Sequence, residues 1–177
     1  GVSNVKVVER NGTIYDRHGR VARVTETTTD TAQPGVKVTT ERENTAYDLM
    51  GREVGIHSLR HEAGMSTETM PDGEIVLSNL DKWSTLVQMG RTFNDVGQLA
   101  EFFDVSFDGN TLSLAGSDVE WKSLSKVQKD GILSGTSPAD EAVTIVHRSG
   151  MTYNARGESN GYTEHTRELS TALEHNW

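Results

Sequence analysis

At 177 residues, with no cysteine and a formal net charge of −9 from 17 basic and 26 acidic side chains, the chain suits one domain or a short array of repeats. The charge disfavours phosphate backbones and anionic lipid surfaces, the missing thiols exclude disulfides and thiolate metal sites, and no apolar run approaches the roughly 18 residues of a membrane span. A hydrophobic fraction of 34%, below that of ordinary globular domains even after Gly is set aside, points to a thin core of the kind elongated folds have.

In chain order the first element is Val5-Lys6-Val7-Val8-Glu9, a strand for which no hairpin partner is evident within its own unit. It leads into Gly12-Thr13-Ile14-Tyr15-Asp16-Arg17-His18-Gly19-Arg20, a segment echoed by Asn44-Thr45-Ala46-Tyr47-Asp48-Leu49-Met50-Gly51-Arg52. Two further copies follow, around Phe93, Asn94 and Gly97 and around Tyr153, Asn154 and Gly157. The shared rule is Gly or Asn, two residues, an aromatic, Asp or Asn, two residues, Gly, and a long polar side chain. Upstream, Arg10, Arg42 and Arg148 share a column that Gln88 interrupts.

Each member of this pattern has a physical task in a strand–turn–strand corner. The aromatic ends the incoming strand, the Asp or Asn side chain bonds the backbone two residues on, and the glycine supplies the positive φ that closes the turn. Alternation then resumes, with Val21, Arg23 and Thr25 opposed to Ala22, Val24 and Glu26, which is the period of a half-buried strand. The Thr-rich stretch from Thr25 to Thr40 reads as two strands joined by an exposed turn at Gln33-Pro34-Gly35.

The corners are unevenly spaced, so insertions lie between them. Pro71-Asp72-Gly73 marks a hairpin between Glu68 and Leu77, and Asp108-Gly109 marks another between Val105 and Leu114. Ser117-Asp118-Val119-Glu120 reads as a capping box opening a helix through Trp121, Leu124 and Val127 to Asp130-Gly131. A short helix is expected from Arg167 through Glu174. The expected fold is mainly β: antiparallel hairpin repeats stacked in an elongated sheet, sandwich or solenoid-like array, with one short inserted helix. A single β-repeat domain over 1–177 would hold units near 5–30, 36–62, 84–107 and 143–167, with an inserted region at 108–142. Tyr15, Tyr47, Phe93 and Tyr153 would be buried at equivalent positions between layers.

At Tyr15-Asp16-x-x-Gly19-Arg20 and Tyr47-Asp48-x-x-Gly51-Arg52 the chain resembles the YD-repeat (RHS-type) signature. With its upstream arginines and Thr-rich strands it also resembles the degenerate YD-like and haemagglutinin-like repeats of giant bacterial surface proteins. The resemblance implies a secreted, cell-surface β-repeat segment whose role is structural or adhesive. In the later copies Gln98 and Glu158 stand where the family pattern has Arg.

No catalytic centre emerges, and the chain is expected not to be an enzyme. There is no Gly-x-Ser-x-Gly elbow, Walker loop or dinucleotide fingerprint. His57 and His61 lie where a strand is expected, and on a strand they would stand about 13 Å apart, too far for one ion, so they read as exposed strand residues rather than ligands. No metal site and no cofactor are expected, calcium being the one ion that acidic residues such as Asp104, Asp108, Asp118 and Glu120 would suit. Asn11-Gly12-Thr13 fits a glycosylation acceptor as well as a turn pair. Trp83, Trp121 and Trp177 read as core anchors ahead of carbohydrate platforms. The expected partners are further copies or neighbouring repeats, joined head to tail by β pairing into a filament, with a glycan or surface protein as the alternative; nucleic acid and membrane insertion are not expected. In that alternative the chain is a carbohydrate- or protein-binding module whose inserted region contacts the ligand.

Overall fold

The computed structural model describes residues 5–136 and 142–169. Among these residues ten strands form in chain order: β1 (Lys6–Tyr15), β2 (Val21–Asp30), β3 (Gln33–Tyr47), β4 (Glu53–Thr69), β5 (Ile75–Phe93), β6 (Leu99–Asp108), β7 (Leu112–Leu114), β8 (Ser117–Val119), β9 (Val143–Tyr153) and β10 (Ser159–Leu169). Eight of them make one open antiparallel sheet in the order β1-β2-β3-β4-β5-β6-β9-β10, and β7 with β8 makes a separate ribbon. The chain is therefore a meander in which every strand pairs with its sequence neighbour, broken once where an insert leaves after β6 and returns at β9.

The fold is mainly β, and of the three arrangements expected the elongated sheet is the one present. Hairpins lie side by side within one sheet rather than stacked in layers. The Val5–Glu9 strand does have a partner in its own hairpin, since Val7 faces Thr29 and Glu9 faces Thr27. Gln33, Pro34 and Gly35 belong to β3, so the Thr-rich turn sits earlier, where the Ala32 amide donates to Asp30 Oδ1 at 2.8 Å.

The insert differs most from expectation. Ser117–Val119 pairs with Leu112–Leu114 instead of capping a helix, and Asp108-Gly109 ends β6 without forming a hairpin with β7. A single 3-10 turn follows at Trp121–Ser123, and the helix α1 runs Lys126–Ser134. Its capping box uses the same chemistry eight residues later: Ser125 Oγ accepts from the Gln128 amide and Gln128 Oε1 from the Ser125 amide. Arg167 through Leu169 extend β10 rather than opening a helix, and the rest of that expected helix lies outside the described residues, as does Trp177.

The core sits where the insert covers one face of the sheet. Val87, Val105 and Ile145 stand opposite one another across β5, β6 and β9, with Phe107 and Val143 one step along the same face. Leu112, Trp121, Leu124 and Ile132 close over them. Full burial of such side chains stabilises by about 1.5–3 kcal/mol each before conformational entropy is counted. Arg167 ties the lid down by donating to the Ser134 carbonyl at 3.2 Å and to the Leu133 carbonyl, at the end of α1 where a cation is favoured. The opposite face of the sheet carries no such cover among the described residues.

Candidate functional site

The four corners join β1 to β2, β3 to β4, β5 to β6 and β9 to β10, so all lie along one end of the sheet. Each is built in the same way. In the first, the Gly19 amide donates to the Asp16 carbonyl at 3.0 Å and the Asp16 amide to the Arg20 carbonyl at 2.8 Å. These bonds define a type I turn closed by a left-handed residue, and Gly19, Gly51, Gly97 and Gly157 occupy that place with φ of 77°, 79°, 83° and 80°. One oxygen of the acid or amide then accepts two backbone N–H groups: from His18 and Arg20 at Asp16, from Met50 and Arg52 at Asp48, from Val96 and Gln98 at Asn94, and from Arg156 and Glu158 at Asn154.

The second terminal atom selects the long side chain that follows. Asp16 Oδ2 accepts from Arg20 Nε at 2.8 Å and Asp48 Oδ2 from Arg52 Nε at 2.7 Å. Where the turn residue is Asn, its Nδ2 donates instead, to Gln98 Oε1 at 3.0 Å and to Glu158 Oε2 at 2.7 Å. The departures from Arg in the later copies thus follow from an exchange of acceptor for donor. Bonds from the Arg20 backbone amide and guanidinium hold the Asp16 carboxyl at about 2, against an ordinary 3.8, and Asp48 is lowered for the same reason by Arg52.

Neighbouring corners interlock. The Arg20 guanidinium lies 4.1 Å over the Tyr47 ring, and that of Arg52 lies 4.3 Å over Phe93. Tyr47 Oη donates to the Val21 carbonyl of the preceding hairpin, and Tyr153 Oη donates to the equivalent Leu99 carbonyl at 2.6 Å. Phe93 has no hydroxyl for this bond and is met instead by two guanidiniums, Arg52 at 4.3 Å and, more distantly, Arg91 at 6.0 Å from the ring centre. The rings lie side by side along the sheet end and are not buried between layers. Tyr15, in the first corner among the described residues, is 61% exposed.

The registers repeat as well. Within the hairpins Arg10 faces Glu26, Arg42 faces Ser58, Gln88 faces Asp104 and Arg148 faces Glu164, always the same two places in the unit. Arg10 and Arg148 form ion pairs with those glutamates at 2.6 Å, while Arg42, opposite a serine, turns to Glu53. Gln88 bonds Asp104, whose carboxyl burial raises above the ordinary range and whose Oδ1 has no hydrogen-bond partner. Nothing in the structure explains a glutamine where the other three hairpins have arginine. Between hairpins, Val24 faces Arg42, Ile56 faces Gln88 and Phe102 faces Arg148, again one pair of places used three times.

The remaining candidates separate. His57 and His61 are on β4 as expected, but neither is an exposed strand residue of the sort anticipated. His57 is buried and its pKa lowered, chiefly by desolvation and then by Lys122. His61 stacks on Trp83 at 3.9 Å and bonds Asp81 at 2.7 Å. Trp121 is a core anchor, whereas Trp83 is 37% exposed and is not. Among the described residues no three His, Asp or Glu side chains gather where they could hold a metal ion. On the uncovered face a groove of about 590 Å³ is lined by Thr40, Ser58, Arg60, Ser84, Ser106 and Thr144, a feature invisible in the sequence because its residues come from five strands. No family model, no curated protein and no solved structure matches the chain.

Proposed function

We propose that the chain is a non-catalytic, extracellular structural module of a cell-surface repeat protein, in which hairpins sharing one pairing scheme add laterally to one sheet and present it for adhesion. The observation that carries this reading is the reuse of a single pairing scheme within all four hairpins and across all three junctions between them. A catalytic constellation has no need of such repetition, whereas a modular scaffold depends on it. The YD-like corners, the thin core and the excess of acid support a surface location.

Two experiments test it. A chain with residues 33–74 repeated in tandem should fold with one additional hairpin, and its denaturant m-value should rise in proportion to the added surface. Aggregation or an unchanged m-value would defeat modularity. An antibody raised against the chain should label intact producing cells, and labelling only after lysis would defeat the surface assignment.

The groove favours a second reading, a carbohydrate- or protein-binding module on the β scaffold. Hydroxyls from Ser58, Ser84, Ser106 and Thr144 beside the Arg60 guanidinium are groups that pair with sugar hydroxyls. The ligand-contacting insert anticipated from sequence touches this surface only at its two ends, Asp108 and Ala142, while its helix covers the other face. Glycan-array binding lost in Arg60→Ala with an unaltered fold would favour it over the purely structural role.

A further inference from the structure

Among the described residues β1 and β10 are the two edge strands of the open sheet. Resting on the modular reading above, we propose that a second copy of this chain pairs its β10 with β1 in one defined register, with Tyr162 opposite Arg10. The three internal junctions fix that register. In each, the residue nine places after one corner's aromatic faces the residue five places before the next: Val24 and Arg42, Ile56 and Gln88, Phe102 and Arg148. Counted from Tyr153 and Tyr15, those places are held by Tyr162 and Arg10.

The side chains at the two edges suit this pairing. At the third junction the Arg148 guanidinium stands 5.6 Å from the Phe102 ring, and Tyr162 opposite Arg10 recreates that aromatic–arginine contact. Tyr162 meets Arg148 of its own hairpin at 5.1 Å and Arg10 pairs with Glu26, yet Tyr162 remains 53% exposed and the Arg10 side chain 65%, which leaves each an open side toward the edge. The same register sets Thr166 opposite Lys6 and Glu164 opposite Val8, which puts Lys6 diagonal to Glu164 on one face of the joined sheet. On the other face Thr163 meets Glu9 and His165 meets Val7, and no like charges are directly opposed.

The first corner is open in the way this pairing requires. Gly51 and Gly97 lie under the arginines of the preceding corners and Gly157 beside Gln98, but the space over Gly19 is empty. Tyr15 is likewise uncovered, and its hydroxyl is the counterpart of those that reach Val21 and Leu99. In the docked copy that acceptor is the Ser159 carbonyl, with the Glu158 side chain above Gly19. An edge strand with unpaired N–H and C=O groups provides the backbone half of the interaction.

The cysteine-free sequence allows a direct test. Lys6→Cys chains are mixed with Thr166→Cys chains under mild oxidation, beside a control mixture of Val8→Cys with Thr166→Cys. In the proposed register the first pair is directly opposed, while the control is a diagonal neighbour about 7–8 Å away and outside disulfide reach. A covalent dimer from the first mixture, at least tenfold above the control, is expected, together with a sedimentation coefficient of the unmodified protein that rises with concentration. Tyr162→Lys, which opposes two cations, should lower the dimer yield about tenfold while the circular dichroism of the monomer is unchanged. Equal yields from both mixtures would overturn the register. A monomer at every concentration with no cross-link would overturn the docking, and would leave the modular reading standing or falling on its tandem-repeat test, which reads a single chain.

Discussion

The sheet has two wings held together differently. Around β5, β6 and β9 an inserted lid buries a continuous apolar cluster, whereas β1, β2 and β3 carry Thr27 and Val36 as their only buried residues among those described. The outer wing is instead tied by its corners and by charge pairs such as Arg10 with Glu26 and Arg23 with Glu41. Exposed pairs of this type are worth roughly 0–1 kcal/mol each. The contrast teaches that a repeated hairpin can be placed by backbone pairing and corner chemistry alone once a neighbouring part of the sheet supplies the hydrophobic anchor.

Removing the anchor should have the largest effect. Ile132→Ala, at a fully buried position under the lid, should cost about 2–5 kcal/mol in urea unfolding, while Ile14→Ala on the outer wing should stay within roughly 0.5 kcal/mol. Comparable losses at the two sites would erase the distinction between the wings. A double-mutant cycle of Arg52→Ala with Phe93→Leu comes next, with an expected coupling near 0.5–1 kcal/mol for a guanidinium over a ring. Additive effects would show that corners meet without holding one another.

The pairing rule inside a corner predicts a smaller and more diagnostic result. Asp48→Asn and Arg52→Gln should each lower the melting temperature, and the double variant, which reproduces the Asn94 and Gln98 arrangement, should recover most of the loss. Failure of the double variant to recover would mean that the two corner types are not interchangeable.

Acid separates the wings last and most gently. His57 lies beneath the insert with a lowered pKa, so the unfolded chain takes up protons first and stability should fall as pH drops below 6.5. His57→Gln should flatten that decline in melting scans. Asp16 on the outer wing is depressed to about 2, so its contribution is intact above 3.8 and disappears as pH falls from there through about 2. Asp104 has the opposite sign: its raised carboxyl opposes folding when ionised, and protonation relieves that.

The corners were legible in the sequence because their determinants are local: an Asx side chain, a left-handed glycine and a strand on each side act within a few residues. The insert was not. Ser117-x-x-Glu120 and Ser125-x-x-Gln128 both satisfy a capping rule, and what decides between them is the pairing of Leu112 with Val119 and the seating of Trp121 in the core. From the sequence alone a buried interior is the natural place for the four rings, because aromatic residues usually supply core area. Their place along the sheet end follows from Arg20 and Arg52 reaching across hairpins, an interaction between residues far apart in the chain.

A junction whose register is reused makes the sheet a ruler. Strands stand about 4.8 Å apart, so each hairpin widens the ribbon by roughly 10 Å whatever its side chains are. Breadth is then set by how many hairpins are encoded, and gene duplication or loss could lengthen or shorten the span in fixed steps without redesigning a core.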